Sequence, residues 1–448
     1  MEEKAIFLEA EVGGQMIQLA RYGLIAGAAK TVITPDVEGT FLIGPMQSST
    51  GVNDALWARA LVLSDSRNRI AILTLDYLGF DFAYNDILIQ AASESSGIPS
   101  GNIMINCSHT HSAPITIPWG PWDREKDKPF HSFLPEKIAE ITKQASLCLE
   151  PVRLRYRRES TQVGFNRRFF DGQSISMAPN PNGAILPWVD VLSIERMEGK
   201  PVAVLFSHAA HPVIVHGAST LISADYPGFA VETLMREHGK ETVYMFAQGC
   251  SANINGFPLR SGIDAASGAG RDLGLAVCRA LKAMGEEIPI ENIQVESVEL
   301  KLPLQEPPSV ERCQEMLEQE KDAERQRAFS ELLTTSQSVQ PPSVLLPIRA
   351  FGIGNLCILG LAHEMFAEYH HYINEVSPFL YNMVLAYTNG VECYVGTKKD
   401  YDLGGHGGYE TAPMGAAFLY QPRLPLAPQS EELIQNGLKR ILDQLAAG

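Results

Sequence analysis

The sequence has few cysteines, and their placement gives no sign of a disulfide framework. Its 448 residues include seven cysteines, an odd number, and no two of them have the CxxC spacing of a metal or redox motif. They are scattered and stand mostly within apolar runs. We therefore expect buried free thiols in a reducing compartment. The seven are Cys107, Cys148, Cys250, Cys278, Cys313, Cys357 and Cys393.

An export signal and long apolar runs are lacking too. The first residues, MEEKAIFLEAEVGG, have neither the basic segment nor the continuous apolar stretch of a secretory signal. No window approaches the run of about 18 apolar residues that marks a membrane-spanning helix. These absences predict a cytoplasmic protein without stable membrane association.

Basic residues are outnumbered. Lysine and arginine total 36 against 52 acidic residues, which gives a formal net charge of -16. Such a chain repels a phosphate backbone, so we expect no nucleic-acid partner. The densest basic run, Arg153 to Arg168, alternates with apolar and acidic residues as a pair of strands does. The expected partner is a small-molecule substrate, and the sequence leaves the oligomeric state open, a homo-oligomer included.

Short aliphatic and β-branched runs alternate with helical patterns along most of the chain. This alternation predicts an α/β fold, a layered mixed β-sheet flanked by helices. We expect one domain over residues 1–448, with a charged helical excursion at 309–343 and a C-terminal helix at 429–446. The predicted strands are Ala60–Leu63, Ile70–Leu75, Ile103–Asn106, Val152–Tyr156, Val189–Arg196, Val202–His208, Val243–Ala247 and Leu356–Leu361. The predicted helices are Asn85–Ser96, Leu134–Leu149, Pro227–His238, Ala265–Met284 and Ala362–Asn374.

One irregular segment, Ile115–Pro135, is rich in proline, tryptophan and charge. A long loop without periodicity inside a compact domain is often a lid or a binding loop. Three aromatic residues, Trp119, Trp122 and Phe130, stand here beside the charged run Asp123–Lys128. This mixture favours a polar, partly aromatic or sugar-like ligand over one with two alkyl chains.

The first histidine motif follows a predicted apolar strand and reads CSHTHSAP, with His109 and His111 two residues apart. In an extended chain such residues point the same way, about 7 Å apart at Cα. Both imidazoles can therefore converge on one metal ion. Alternatively, one binds a metal ion while the other faces a substrate.

The second motif, FSHAAHP, also closes an apolar strand. His208 and His211 are three residues apart, so on an extended backbone they diverge and only one is expected to reach a site. Asp225 follows at the start of a predicted helix. It has two interpretations that stay open here: an N-cap for the helix, or a carboxylate that orients a metal-bound histidine.

The third motif contains His363 and Glu364, which look like the start of a zincin HExxH motif. The residue four places after His363 is Ala367, so that interpretation fails. Glu364 can either cap the following helix or serve as a carboxylate ligand. His370 and His371 lie farther along the predicted helix, and we expect both at the surface.

The fourth feature is a segment rich in glycine and tyrosine, Asn389–Thr397. Tyr401 and the pair Tyr409 and Glu410 follow it. The segment has neither a helical nor a strand period. This is typical of a loop that carries functional residues.

Taken in order, these motifs resemble those of the neutral (non-lysosomal) ceramidases, specifically their N-terminal catalytic domain. The similarity is collinear from about Gly27 to about Glu410. The resemblance implies the fold of that domain and one zinc ion per chain, held by His109, His211 and Glu364, with Tyr394 the candidate fourth ligand. The matching segments are Gly27–Pro35, Trp57–Ala60, His109–Ser112, Ala210–Pro212, Ser223–Gly228, Phe246–Gly249, Glu364 and the stretch from Tyr394 to Glu410.

The resemblance also implies a hydrolytic chemistry in which a metal-activated water attacks a carbonyl. His111 would contact the substrate and protonate the leaving nitrogen, and a nearby tyrosine such as Tyr394 would stabilise the oxyanion. We predict a zinc-dependent amidohydrolase acting on an N-acyl bond of a soluble polar substrate. One alternative keeps the metal site for an ester, a lactone or another C–N bond of a small metabolite. Another is a non-catalytic binding protein.

The chain departs from the family pattern at three places. Asn255 stands where the ceramidases carry a serine, and a carboxamide cannot replace a hydroxyl nucleophile, so we place Asn255 in the catalytic site without a covalent role. Val391 occupies the position of an expected tyrosine, which leaves Tyr394 for the ligand role. The chain also ends without room for the family's C-terminal immunoglobulin-like domain, so we expect a shorter homologue.

Overall fold

Nine strands form a mixed sheet at the centre of the computed structural model, which describes residues 9–12, 15–18, 23–65, 67–117, 130–283, 285–290, 292–415, 417–418 and 423–448. Its spatial order is β8-β7-β6-β5-β1-β2-β3-β4, and β9 pairs with β5. Only the neighbours β7–β8 and β3–β4 are parallel. The predicted mixed α/β architecture is confirmed. The strands are β1 (Ile25–Val32), β2 (Trp57–Ser64), β3 (Arg69–Leu75), β4 (Ile103–Cys107), β5 (Glu150–Ser160), β6 (Trp188–Arg196), β7 (Pro201–His208), β8 (Val243–Gln248) and β9 (Glu286–Glu287).

Burial along the strands follows their sequences. In β3, RIAILTL, every residue after Arg69 is buried, because helices and the second sheet cover both faces of the central sheet. In contrast, β5 alternates buried and partly exposed residues over most of its length. Arg153, Arg155 and Arg157 occupy the partly exposed face, whereas Arg158 pairs with the buried Asp190 on the other face. The prediction that this basic run has the sequence of a strand is therefore confirmed for Arg153 to Ser160.

The two edge strands of the sheet, β4 and β8, meet at their C-terminal ends. The Gln248 amide N–H donates to Asn106 Oδ1 at 2.8 Å, and Asn106 Nδ2 donates to the Gln248 carbonyl at 3.2 Å. This closure brings the loop after β4 next to the loops after β7 and β8. The two histidine motifs, far apart in sequence, thereby become neighbours.

A second sheet of four strands packs against the first through a shared apolar cluster. Its order follows the chain, with β12 and β13 parallel and the other pairs antiparallel. The C-terminal helix packs on β10 and β11. The strands are β10 (Ile293–Pro303), β11 (Ser343–Ile353), β12 (Leu356–Leu361) and β13 (Tyr381–Leu385).

Among the described residues, eight longer helices surround the sheets. Helices α3 and α4 pack closely because Gly270 offers no side chain, and a Cβ there would lie 2.4 Å from the Tyr226 carbonyl oxygen. The charged excursion forms α5 and α6, and these two helices share a small core with Phe418 and Leu424. The helices are α1 (Phe82–Ser96), α2 (Leu134–Leu147), α3 (Asp225–His238), α4 (Ile263–Lys282), α5 (Val310–Gln319), α6 (Ala323–Ser336), α7 (Ala367–Val376) and α8 (Ser430–Ala447), with short turns at Lys398–Tyr401 and Gly408–Thr411.

The predicted helix Ala362–Asn374 is wrong at its start. Glu364–Met365 forms a short parallel strand pair with Tyr394–Val395, and α7 begins only at Ala367. His363 has a φ of 69° and Phe366 an extended backbone, so the chain cannot be helical through these residues. Glu364 is therefore not a helix cap, and the short pairing fixes it beside Tyr394.

Two expectations about the whole chain can be compared with the structure. All seven cysteines are free, and six are buried, whereas Cys148 is exposed, contrary to our expectation. Among the described helices, none has the length and apolar character needed to cross a membrane.

Candidate metal centre

Three buried side chains from separate loops meet beside the closed edge of the central sheet. His211 Nε2 lies 3.1 Å from Glu364 Oε2, and His109 Nε2 lies 3.5 Å from the same oxygen. His109 follows β4, His211 follows β7, and Glu364 stands on the short strand after β12. The structure thus brings together the three residues proposed as metal ligands from the sequence.

Main-chain carbonyls hold both imidazoles in one orientation. His109 Nδ1 donates to the Leu78 carbonyl at 2.5 Å, and His211 Nδ1 donates to the Ser251 carbonyl at 2.7 Å. A ring that donates through Nδ1 presents the lone pair of Nε2, the arrangement found in metal-ligating histidines. Burial lowers the pKa of His109 to about 4 and that of His211 to about 3, so both rings are neutral at pH 7.

The cluster contains polar atoms that the described residues leave without hydrogen-bond partners. These are His109 Nε2, His111 Nε2 and Glu364 Oε1, all of them buried. Such atoms are costly unless something satisfies them, and burial already raises the pKa of Glu364. Neutral imidazoles and a carboxylate are the donor set that zinc prefers. The residues therefore fit a divalent cation of this type.

His111 belongs to the same group. The ligand atoms of His109, His111 and His211 all lie within 4.8 Å of one another. The His111 ring is 5.1 Å from those of His109 and His216, and burial lowers its pKa well below the usual value. The geometry thus accommodates both roles that the sequence left open, a fourth ligand or a neutral base facing substrate.

Two tyrosines lie beside the carboxylate. Tyr394 is the partner of Glu364 in the short strand pair, and its side chain counteracts the rise in the pKa of Glu364 that burial causes. Tyr387 donates to Glu364 Oε2 at 3.4 Å and its ring lies 4.4 Å from that of His109. No sequence motif identifies Tyr387 as a residue of the site. The only indication in the sequence is its position two residues before the Gly- and Tyr-rich segment.

A buried arginine lies beside the cluster. Arg167 donates from Nε to Glu410 Oε1 at 2.7 Å and from Nη1 to Asn255 Oδ1 at 3.0 Å. Its Nη2 has no partner among the described side chains and main-chain atoms. Asn255 reaches Arg167 because Gly164–Asn166 and Ile254–Gly256 form a strand pair. Sequence reasoning treated Arg167 only as strand sequence.

His111 and Tyr394, next to the cluster, line a cavity of about 350 Å³. The buried residues Arg167 and Asn255 line it too, as does the exposed Arg260. The loop at Gly44 can approach this closely only without a side chain, because a Cβ there would lie 2.6 Å from His216 Nδ1. A small ligand can therefore contact His111 and Tyr394, while His109, His211 and Glu364 lie outside the lining of the cavity.

Backbone strain is concentrated around this site. Nine described residues other than glycine have a positive φ, and five of them belong to the cluster or line the cavity. Residues held in this region cost about 1–3 kcal/mol each and are typical of functional sites. The five are Met46, His109, His216, Arg260 and Tyr387.

The other histidines lie outside the cluster. His208 diverges from His211 as predicted, and its two ring nitrogens bond to main-chain atoms of Trp188 and Val163. His371 is exposed, as expected. His370 was expected at the surface, but it is 2% exposed, because α7 turns it against the Trp188 ring.

Neither interpretation of Asp225 holds in its simple form. Its carboxylate accepts the amide N–H groups of Val215 and Tyr226, so it fixes a loop and the first turn of α3. It does not orient a metal-binding ring, because carbonyls hold His109 and His211.

The proposed lid lies largely outside the described residues, since Trp119, Trp122 and Asp123–Lys128 fall at 118–129, while Phe130 is buried in the core.

Two solved structures share this architecture. Neutral ceramidase from Pseudomonas aeruginosa superposes with a TM-score of 0.73 at 19% identity, over 95% of this chain and 75% of that chain. A ceramidase complexed with C2 gives a TM-score of 0.72 at 17% identity, over 95% and 76%. No protein-family model and no curated protein matches the sequence. The chain has the fold of the neutral ceramidases, as its motifs predicted.

Proposed function

We propose that this protein is a zinc-dependent hydrolase that cleaves an amide bond in a small polar substrate. The observation that supports this most is the buried cluster of His109, His211 and Glu364, in which both imidazole Nε2 atoms lie within 3.5 Å of one carboxylate oxygen. A divalent cation satisfies two neutral imidazoles and a carboxylate at once. The ceramidase-like fold adds support for hydrolysis of an N-acyl bond.

The proposed metal-binding residues are His109, His211 and Glu364, with Tyr394 the candidate fourth ligand. When bound there, zinc would supply a water molecule of lowered pKa and a Lewis acid for the carbonyl oxygen. Tyr387 donates to Glu364 and Tyr394 pairs with it in the short strand pair, so their hydroxyl groups are the proposed donors to that carbonyl oxygen.

His111 is the proposed proton carrier. Hydrolysis forms a bond from water oxygen to the carbonyl carbon and breaks the C–N bond, and the leaving nitrogen gains a proton. A neutral imidazole can accept a proton from the water and pass it to that nitrogen. The depressed pKa of His111 keeps its ring in the accepting form at pH 7. Asn255, which accepts a hydrogen bond from Arg167, has no nucleophilic role in this scheme.

The proposal extends to where the protein acts and on what. Seven free cysteines suit the cytosol, where disulfides are rare. A cavity of about 350 Å³ falls at the lower end of the range for small-molecule sites. We therefore propose a soluble metabolite as substrate in place of a long-chain lipid.

Metal analysis and substrate profiling test the proposal together. We expect about one zinc per chain, and turnover of N-acyl compounds in preference to matched O-acyl compounds. Preference for the O-acyl series would reassign the same site to ester hydrolysis. A long-chain ceramide in detergent with a higher kcat/KM than any soluble amide or ester would contradict the choice of substrate. Absence of stoichiometric metal would remove the hydrolase proposal.

A further inference from the structure

The wall of the cavity has a charge opposite to that of the protein. The chain carries a formal net charge of -16, with 52 acidic residues. Yet the described residues that line the cavity include two arginines and two histidines and no aspartate or glutamate. The chain is rich in carboxylates, yet none among the described residues lines this cavity next to the candidate metal centre. This absence indicates a ligand with a negative charge.

The two arginines differ in burial and in use. Arg167 is 4% exposed, and two of its nitrogens donate hydrogen bonds to Glu410 and Asn255. Its third nitrogen, Nη2, has no partner among the described atoms. Arg260 is exposed. A guanidinium group matches the planar oxygens of a carboxylate or the oxygens of a phosphate. One buried and one exposed guanidinium group thus line the same cavity.

The arrangement around Arg260 is built by the backbone. Its own φ is 52°, and its amide N–H donates to the Val213 carbonyl at 3.1 Å, which ties this loop to the segment after His211. A residue in this conformation is strained, and the loop holds it in place beside the cavity. Apolar side chains line the same cavity, among them Ile43 and Met177. The cavity therefore combines guanidinium groups with apolar side chains.

We propose that the substrate is an N-acylated amine that carries an oxyanion, a carboxylate or a phosphate, bound by Arg260 and by the free N–H of Arg167. This inference rests on the proposed hydrolase function and names its substrate class, of which an N-acyl amino acid is the simplest member. The acyl group packs against the apolar side chains of the cavity and the anion against the guanidinium groups. A neutral lipid amide would leave Arg260 without a counter-charge and Arg167 Nη2 without an acceptor among the described atoms.

Binding of uncleavable analogues tests this without relying on turnover. N-benzenesulfonylglycine, its phosphonate counterpart and its uncharged carboxamide share one skeleton and differ in charge, and calorimetry on the zinc-loaded protein compares them. We expect the better anion to bind about tenfold more tightly than the carboxamide. Arg260→Gln should reduce that ratio several-fold, whereas Arg236→Gln, an exposed arginine on α3, should leave it unchanged. The stronger of the two anions identifies the oxyanion.

Two outcomes would overturn the inference. One is equal affinity for the anions and the carboxamide, and the other is a ratio that Arg260→Gln does not change. Hydrolysis of N-benzoylglycine and N-benzoylglycinamide separates this result from the fate of the hydrolase proposal. Turnover of both at the same kcat/KM would leave a hydrolase without an anion site. Anion preference in binding with no hydrolysis of any amide would leave an anion site without the proposed activity.

Discussion

Two groups of buried histidines differ in how their ring nitrogens are used. His208 and His363 each bond through both nitrogens to main-chain atoms, and nothing is left over for a ligand. His109 and His211 use Nδ1 in the same way but keep Nε2 for the cluster at Glu364. All four rings are buried, and each belongs to a residue at the end of an apolar strand or shortly after it. The free second nitrogen, and not burial, distinguishes a candidate ligand from a structural histidine.

The largest effect should come from removing the free nitrogens. We expect the His109→Ala, His211→Ala double variant to lose bound zinc and all measurable hydrolysis, because it lacks both imidazoles of the proposed ligand set. Metal content by mass spectrometry and turnover of an N-acyl substrate measure this. His371→Ala, at an exposed position, is the control and should keep both. Full zinc occupancy in the double variant would show that the ligands lie elsewhere.

Replacing His111 should separate chemistry from metal binding. If it carries the proton, His111→Ala retains zinc and loses about 10²–10⁴-fold in rate. Substrates with activated leaving groups need no proton and should lose less. An equal loss for both kinds of substrate would exclude the role, and loss of zinc would make His111 a ligand.

The structural histidines should instead affect stability. Burial lowers the pKa of His208 and of His363 to about 4, from about 6.5 in an unfolded chain. Between these values the unfolded state binds more protons, so the free energy of unfolding falls as the pH drops from about 6.5 towards 4, by about 3 kcal/mol or less per ring.

Urea unfolding at several pH values tests this in zinc-free protein. His208→Gln should flatten the decline below pH 6.5 compared with the wild type, and it should still bind zinc at pH 7. His371→Gln serves as the exposed control. A pH dependence identical in the wild type and in His208→Gln would contradict the assignment of His208 as a buried neutral ring.

The sequence predicted the strands well for a physical reason. Runs such as those of β3 and β7 are buried almost throughout, and such runs are visible without knowledge of their neighbours. The helix start at Ala362 was wrong, because a long-range pairing of Glu364 with Tyr394 overrides local helical preference. The local sequence pattern therefore predicts helices and strands but not which distant segments pair with each other.

The residues of the candidate site fall into the same two groups, those that local motifs identify and those that only long-range contacts bring to the site. The sequence motifs named His109, His211 and Glu364, and the structure brings these three together, while their role as ligands stays a prediction. Tyr387 and Arg167 escaped notice, because their place beside the cluster depends on sheet closure and on a short strand pair between distant segments. Positive φ angles at His109 and Tyr387 are equally invisible in a residue pattern.

The smallest effect should come from Asn255. Its Oδ1 accepts from Arg167 Nη1 at 3.0 Å, so Asn255→Ala loosens one contact of a guanidinium group that Glu410 still holds. We expect a loss of about tenfold or less in kcat/KM, since one hydrogen bond to a charged group is worth about 1.5–3 kcal/mol and Arg167 can regain part of it from water. Pre-steady-state turnover should show no burst in the wild type or the variant, because no acyl-enzyme forms. An acyl group trapped on Asn255 or any other side chain would refute the direct attack of water on the carbonyl carbon. On Asn255, it would also refute the conclusion that this residue holds Arg167 and takes no part in the reaction.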